Sequence, residues 1–159
     1  MSAIGLRWRL RRVVSARYLA VCVVRRAVSL RRAARRRCLR RFGRTPGRVE
    51  GLTARATSRK RVVLGFGAAG THGSRLPAAR SYVVKQSTRP IRGRRGFRRA
   101  RALCDGKCSF KVRFVGEKVR LTITDLRPRT TYYYAVAARD NVSGRQGPRS
   151  PTTKTRTRR

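Results

Sequence analysis

Cys104-Asp105-Gly106-Lys107-Cys108 is the segment of this 159-residue chain richest in side-chain chemistry. Asp-Gly favours a tight turn, which lets the two thiols face each other across a short loop. Three fates are open to such a pair. A disulfide implies an oxidising compartment and would contribute roughly 2 kcal/mol by loop entropy. Free thiols need no partner. Half of a zinc site needs two more ligands, and the other candidates, His72, Cys22 and Cys38, supply no second spaced pair. Cys22 and Cys38 are sixteen residues apart, a spacing that does not pair them convincingly.

Little else in the chain suits catalysis. One His and five Asp and Glu stand against 44 Lys and Arg, a poor stock for acid–base chemistry or metal binding. A hydrolase or metalloenzyme is therefore disfavoured, and no catalytic residue, metal ligand or cofactor is assigned. Gly65-Phe66-Gly67-Ala68-Ala69-Gly70 has the spacing of a dinucleotide fingerprint, which requires a helix opening within it and an acid about twenty residues on. Thr71-His72-Gly73-Ser74 and then Pro77 follow instead, and no acid lies between Glu50 and Asp105. The match is read as turn glycines, with His72 in a surface loop. Asn141-Val142-Ser143 fits a glycosylation acceptor, but three residues match often by chance.

Charge dominates the composition. The formal net charge is +39 and the sequence pI about 12.0, so nucleic acid, acidic polymers and anionic surfaces all attract the chain. Ile91–Arg101 concentrates six arginines (Arg92, Arg94, Arg95, Arg98, Arg99 and Arg101) without an acid. Such a stretch is either a solvated loop, the favoured reading, or an anion-binding segment along a phosphate backbone with Phe97 stacking on a base. No apolar run approaches the roughly 18 residues needed to span a bilayer.

These residues are carried by two regions. Residues 1–47 hold 15 Arg and no Lys, Asp or Glu, and such a region resists compaction without anionic partners. Val23, Ala27, Leu30, Ala34, Cys38 and Phe42 recur at helical spacing, which would make a basic amphipathic helix. Disorder is the alternative. Fifteen Arg without a Lys is also what a GC-rich frame gives upstream of a true start, and the uncharged run Tyr18–Val24 is marginal as an export-signal core. Phe42–Gly47 reads as a connector. Residues 48–159 hold the other 29 basic residues and all five acids, a formal +24. Here apolar residues alternate at Leu52/Ala54/Ala56, Val62/Leu64/Phe66, Tyr82/Val84/Gln86, Val119/Leu121/Ile123 and Tyr132/Tyr134/Val136/Ala138, and Thr152–Thr157 would form a polar edge strand. Period-two runs between short turns predict an all-β, antiparallel β-sandwich.

The run from Leu126 to Asn141, Leu-Arg-Pro-Arg-Thr-Thr-Tyr-Tyr-Tyr-Ala-Val-Ala-Ala-Arg-Asp-Asn, resembles the E–F corner and F strand of fibronectin type III domains. Leu126, Pro128, Thr130, Tyr132, Tyr134, Val136 and Ala138 match that family's Leu-x-Pro-x-Thr-x-Tyr-x-aromatic-x-Val-x-Ala pattern. Leu52-Thr53-Ala54, Val62-x-Leu64-x-Phe66 (Phe where the family usually has Trp), Tyr82-x-Val84 and Gly147–Pro151 extend the resemblance over about residues 48–158. It implies an immunoglobulin-like fold whose corner is pinned by the Tyr132 hydroxyl above Leu126, with Pro128 fixing the turn and Tyr133 facing outward. It also implies a non-catalytic spacer or binding module, often in secreted bacterial proteins, meeting protein or polysaccharide through loops such as Gly67–Ser74 and Asp140–Gly147 or through a sheet edge. A secreted or cell-envelope location is expected on this reading. A cytoplasmic nucleic-acid-binding protein using the Arg-rich segments is the alternative.

Overall fold

Each of the period-two runs is a strand in the computed structural model, which describes residues 45–159. The helical stripe, the export signal and any pairing of Cys22 with Cys38 lie outside the described residues. In chain order the domain runs β1 (Thr53–Ala56), β2 (Val62–Gly67), β3 (Gly70–His72), β4 (Arg75–Ala78) and β5 (Ser81–Ser87). A helix, α1 (Gly93–Arg99), precedes two short strands, β6 (Arg101–Ala102) and β7 (Cys108–Ser109). Strands β8 (Lys118–Ile123), β9 (Thr131–Arg139), β10 (Gln146–Arg149) and β11 (Thr153–Arg156) complete it.

Strands β1, β2 and β8 form one antiparallel sheet in that order. The second is built on β5 and β9, with β10 and β11 sharing the outer edge of β9 and β6 and β7 sharing that of β5. The inward residues of the two sheets meet as the sequence pattern requires. Val62, Leu64, Phe66, Val119 and Ile123 face Tyr82, Val84, Tyr132, Tyr134 and Val136 in one buried cluster. Full burial of each such Val or Leu contributes about 1.5–3 kcal/mol. Phe66, Tyr82 and Phe110 pack edge-on at centroid distances of 5.0, 5.9 and 5.8 Å, so aromatic edges meet faces across the core.

Two local readings of the sequence are corrected. The glycine-rich segment is not a loop carrying His72, because β3 and β4 pair as a hairpin with His72 opposite Arg75. Glycine is needed at position 70, where a Cβ would run into the Arg75 backbone. The connector also ends earlier than its Gly and Pro content suggests. The Gly73 amide donates to the Thr45 carbonyl at 3.1 Å and the Gly47 amide to the Gly70 carbonyl at 3.0 Å. Pro46 is fully buried, and a Cβ on Gly147 would stand 2.6 Å from its carbonyl oxygen. Thr45–Gly47 thus belongs to the sandwich, since a proline without an amide donor can be buried where a neighbouring glycine leaves room.

Candidate functional site

Cys104 and Cys108 are joined by a disulfide, with Cα atoms 5.1 Å apart. The loop between them turns through left-handed backbone at Cys104, Asp105 and Gly106, and the Lys107 amide closes it on the Cys104 carbonyl at 2.9 Å. The bond removes both thiols from metal binding, and among the described residues no group of three or more His, Cys, Asp and Glu is placed to hold an ion.

The corner residues come together around two hydroxyls. The Arg127 amide donates to the Tyr132 hydroxyl at 2.9 Å, above the buried Leu126. The Thr130 hydroxyl donates to the Pro128 carbonyl at 2.9 Å. A residue that the sequence did not single out completes the corner. Thr157, buried, donates its hydroxyl to the Arg127 carbonyl at 2.6 Å and accepts from the Thr130 amide at 2.9 Å. Pro128 itself is exposed. This constellation stabilises the corner and presents no reactive atom.

The other end of the sandwich is tied in a similar way. The Tyr82 hydroxyl accepts from the Ala69 amide at 3.2 Å and donates to the Ala79 carbonyl at 2.8 Å. Burial pushes its pKa up to about 12, with the Ala69 bond opposing the shift. Asn141 uses its side chain as a clamp, accepting from the Arg80 amide and donating to the Ala78 carbonyl, each at 2.9 Å. Ser143 is bonded through its hydroxyl and its amide to the Asp140 carboxylate. Both polar side chains of the Asn141-Val142-Ser143 tripeptide are therefore committed, which argues against its use as an acceptor. The Asp140–Gly147 turn is closed on itself.

The arginine-rich segment differs most from expectation. It is not a solvated loop, and its aromatic is not free to stack on a base. Gly93–Arg99 is a helix lying on the outer face of the β5–β9 sheet, and Phe97 is buried beneath it with Ile91 against Val83, Ala135 and Ala137. Small residues at 135 and 137 leave room for this second apolar cluster. The Lys85 ammonium lies 5.9 Å from the Phe97 ring centroid and donates to the Ala100 carbonyl at 2.9 Å. Phe97 is thus unavailable for stacking on a ligand. The six arginines, Arg92, Arg94, Arg95, Arg98, Arg99 and Arg101, are all exposed.

The helix approach creates a groove. Tyr133, half-buried on the outer face of β9, lines an open groove of about 490 Å³ whose walls come from Pro90, Ile91 and Arg92 and from Arg149, Pro151, Thr152 and Lys154. Lys154 is the cross-strand partner of Tyr133, so their side chains share that face. The two walls are linked by the Thr152 hydroxyl, which donates to the Ile91 carbonyl at 2.8 Å. An Arg149 guanidinium N–H donates to the Ser150 carbonyl at 3.2 Å, holding that cation beside the groove. Buried Ser150 occupies the break between β10 and β11, where its hydroxyl accepts from the Val136 amide at 3.0 Å. Of the sequence-derived site residues only Arg92 lines the groove. The signal for the rest was Pro151 interrupting the final strand, together with outward Tyr133.

The arrangement offers a flat aromatic surface, rigid proline flanks and three cations, with no carboxylate among the lining residues. It can hold an anion and pack against a planar or apolar group.

No family model and no curated protein matches the sequence. Solved structures do resemble it. The FN1–FN3 domains of chicken CNTN1 are 17% identical at a TM-score of 0.49, over 70% of this chain and 32% of that one. A myokine structure is 16% identical at a TM-score of 0.50, over 72% and 100% of the two chains. A crystal structure of titin domains is 19% identical at 0.50, over 72% and 33%. The chain therefore spans about a third of the CNTN1 and titin structures. With the two facing sheets and the tyrosine-pinned corner, these likenesses place the described residues in the fibronectin type III-like fold.

Proposed function

We propose that the domain is a non-catalytic spacer and docking module of an extracellular or cell-envelope protein, and that it engages an anionic partner across the outer face of the β5–β9 sheet. The observation that carries this reading is the Tyr133 groove, flanked by Arg92, Arg149 and Lys154 without a compensating acid in its lining. The Cys104–Cys108 disulfide supports an oxidising location. An Asp140–Gly147 turn whose Asp140, Asn141 and Ser143 side chains are already bonded within the domain favours the sheet face over that loop as the contact surface.

Net charge alone would also draw polyanions, so the test holds charge constant. Two triple variants of the full chain are compared on an immobilised polyanion: Arg92→Glu/Arg149→Glu/Lys154→Glu in the groove, and Lys60→Glu/Arg61→Glu/Lys118→Glu among exposed positions beside the β1–β2–β8 sheet. Both change the charge equally. The groove variant is expected to elute at clearly lower salt than the other. Equal elution would reduce the groove to one cationic surface among many and remove the reading.

A further inference from the structure

We infer that the face formed by α1 and the Tyr133 groove seats an unpaired nucleic-acid strand, with the Tyr133 ring stacking on a base and the arginines around it taking phosphates. The inference rests on the anionic-partner reading and names the class of anion.

Three features converge on it. First, the cations are ordered. Phe97 faces the sheet, and helical spacing then turns Arg95 and Arg99 directly outward with Arg94 and Arg98 along one flank. Each pair sits four residues apart, so its members stack about one turn, or ~6 Å, along the axis. A ladder of charges suits a regularly repeating anion better than the scattered carboxylates of an acidic peptide. Second, these are arginines, whose planar guanidinium forks bind phosphate oxygens two at a time. Third, Arg92, which immediately precedes the helix, lines the same groove as Tyr133 on β9. Tyr133 is held from one side by the Ile91 cluster, and the Thr152–Ile91 hydrogen bond spans the walls. A ring fixed in this way stacks on a base at little entropic cost. A paired duplex hides its base faces, so the ring is useful only to an unpaired strand.

Residues 1–47 carry 15 Arg and will hold any polyanion to some degree, so the test on the full chain needs a local readout. A 12-nucleotide oligothymidine containing 5-iodouracil is photocrosslinked to the protein and the adduct located by mass spectrometry, while anisotropy compares that strand with an abasic 12-mer bearing the same phosphates. The expected result is an adduct on Tyr133. Tyr133→Ala should weaken the base-bearing strand about tenfold and leave the abasic strand unchanged, and Tyr133→Phe should retain both. Adducts confined to residues other than β9, or an equal loss of both strands in Tyr133→Ala, would overturn the inference. Displacement of the strand by polyglutamate at fewer charge equivalents than by oligothymidine would also overturn it and point to an acidic protein partner, with the anionic-partner reading intact. If the groove triple variant binds every polyanion as the wild type does, both readings fall together.

Discussion

A hydroxyl on a buried ring stabilises this domain only where something meets it, and three tyrosines separate the cases. The Tyr132 hydroxyl accepts the Arg127 amide, and the Tyr82 hydroxyl bridges two backbone groups. The Tyr134 hydroxyl is fully buried without a hydrogen-bond partner. Removing a partner from a buried donor costs about 1–3 kcal/mol, whereas removing an unsatisfied group releases a desolvation penalty. Tyr132→Phe should therefore lower the unfolding free energy from urea titration by about 1–3 kcal/mol, while Tyr134→Phe leaves it unchanged or raises it. A Tyr134→Phe variant as unstable as Tyr132→Phe would contradict this. The same burial sets the alkaline limit. Burial raises the Tyr82 pKa to about 12, and burial together with the neighbouring Tyr132 lifts Tyr134 above the ordinary phenol range. Unfolded tyrosines ionise near pH 10, so above that point the unfolded chain binds fewer protons and stability falls as pH rises. The loss should begin near pH 10 and for Tyr82 reach on the order of 2–3 kcal/mol by pH 12. Tyr134→Phe should flatten the decline between pH 10 and 11 in urea titrations, since one of the two groups is then gone.

At the scale of elements, α1 is the piece whose stability is most separable. It meets the domain mainly through Phe97, with Ile91 just before the helix packed beside it on the outer face, while the main core lies on the other side of the sheet. Phe97→Ala removes most of what holds it, and truncating a buried Phe to Ala costs about 3–5 kcal/mol. Amide exchange should accelerate strongly over residues 93–102 and stay slow in β9. Acceleration throughout β9 would show that the helix and sandwich unfold as one. The sequence makes this division intelligible after the fact. Val62/Leu64/Phe66 and Tyr132/Tyr134/Val136 were legible because one apolar face against one polar face leaves a period of two. The helix was hidden because seven residues with four Arg and two Gly have no amphipathic stripe to read. Its trace lay in its partner: Ala135, Ala137 and Val83 are apolar at outward positions, which only a covering element explains. Tyr133 and Arg92 could be found from type and phase. Pro151 left a trace as a break in the final strand, but Arg149 and Lys154 could not be found, because they join the groove only through the registers of β10 and β11 on β9, which no single run of sequence encodes.

The whole molecule folds against its own charge. Its formal +39 includes only five acids, and those with described side-chain bonds serve turns. Glu117 accepts the Arg113 amide at 2.7 Å, Asp140 receives Ser143, and Asp125 receives the Thr124 hydroxyl at 2.8 Å. In an ordinary protein added salt screens attractions and repulsions together. Here repulsion dominates, because cations outnumber anions 44 to 5, and exposed charges lose most of their interaction beyond about 10 Å at 0.1 M salt and about 3 Å at 1 M. The unfolded chain, being expanded, keeps its charges farther apart and gains less from screening. Sodium chloride raised from 0.05 to 0.5 M should therefore increase the thermal midpoint, by roughly 4 °C for each ~1 kcal/mol of repulsion removed in a domain of this size. Sodium sulfate would confuse the result by strengthening apolar burial, so the chloride series is the informative one. A midpoint that falls as chloride rises would mean that attraction between unlike charges, and not the two apolar clusters alone, holds the sandwich together.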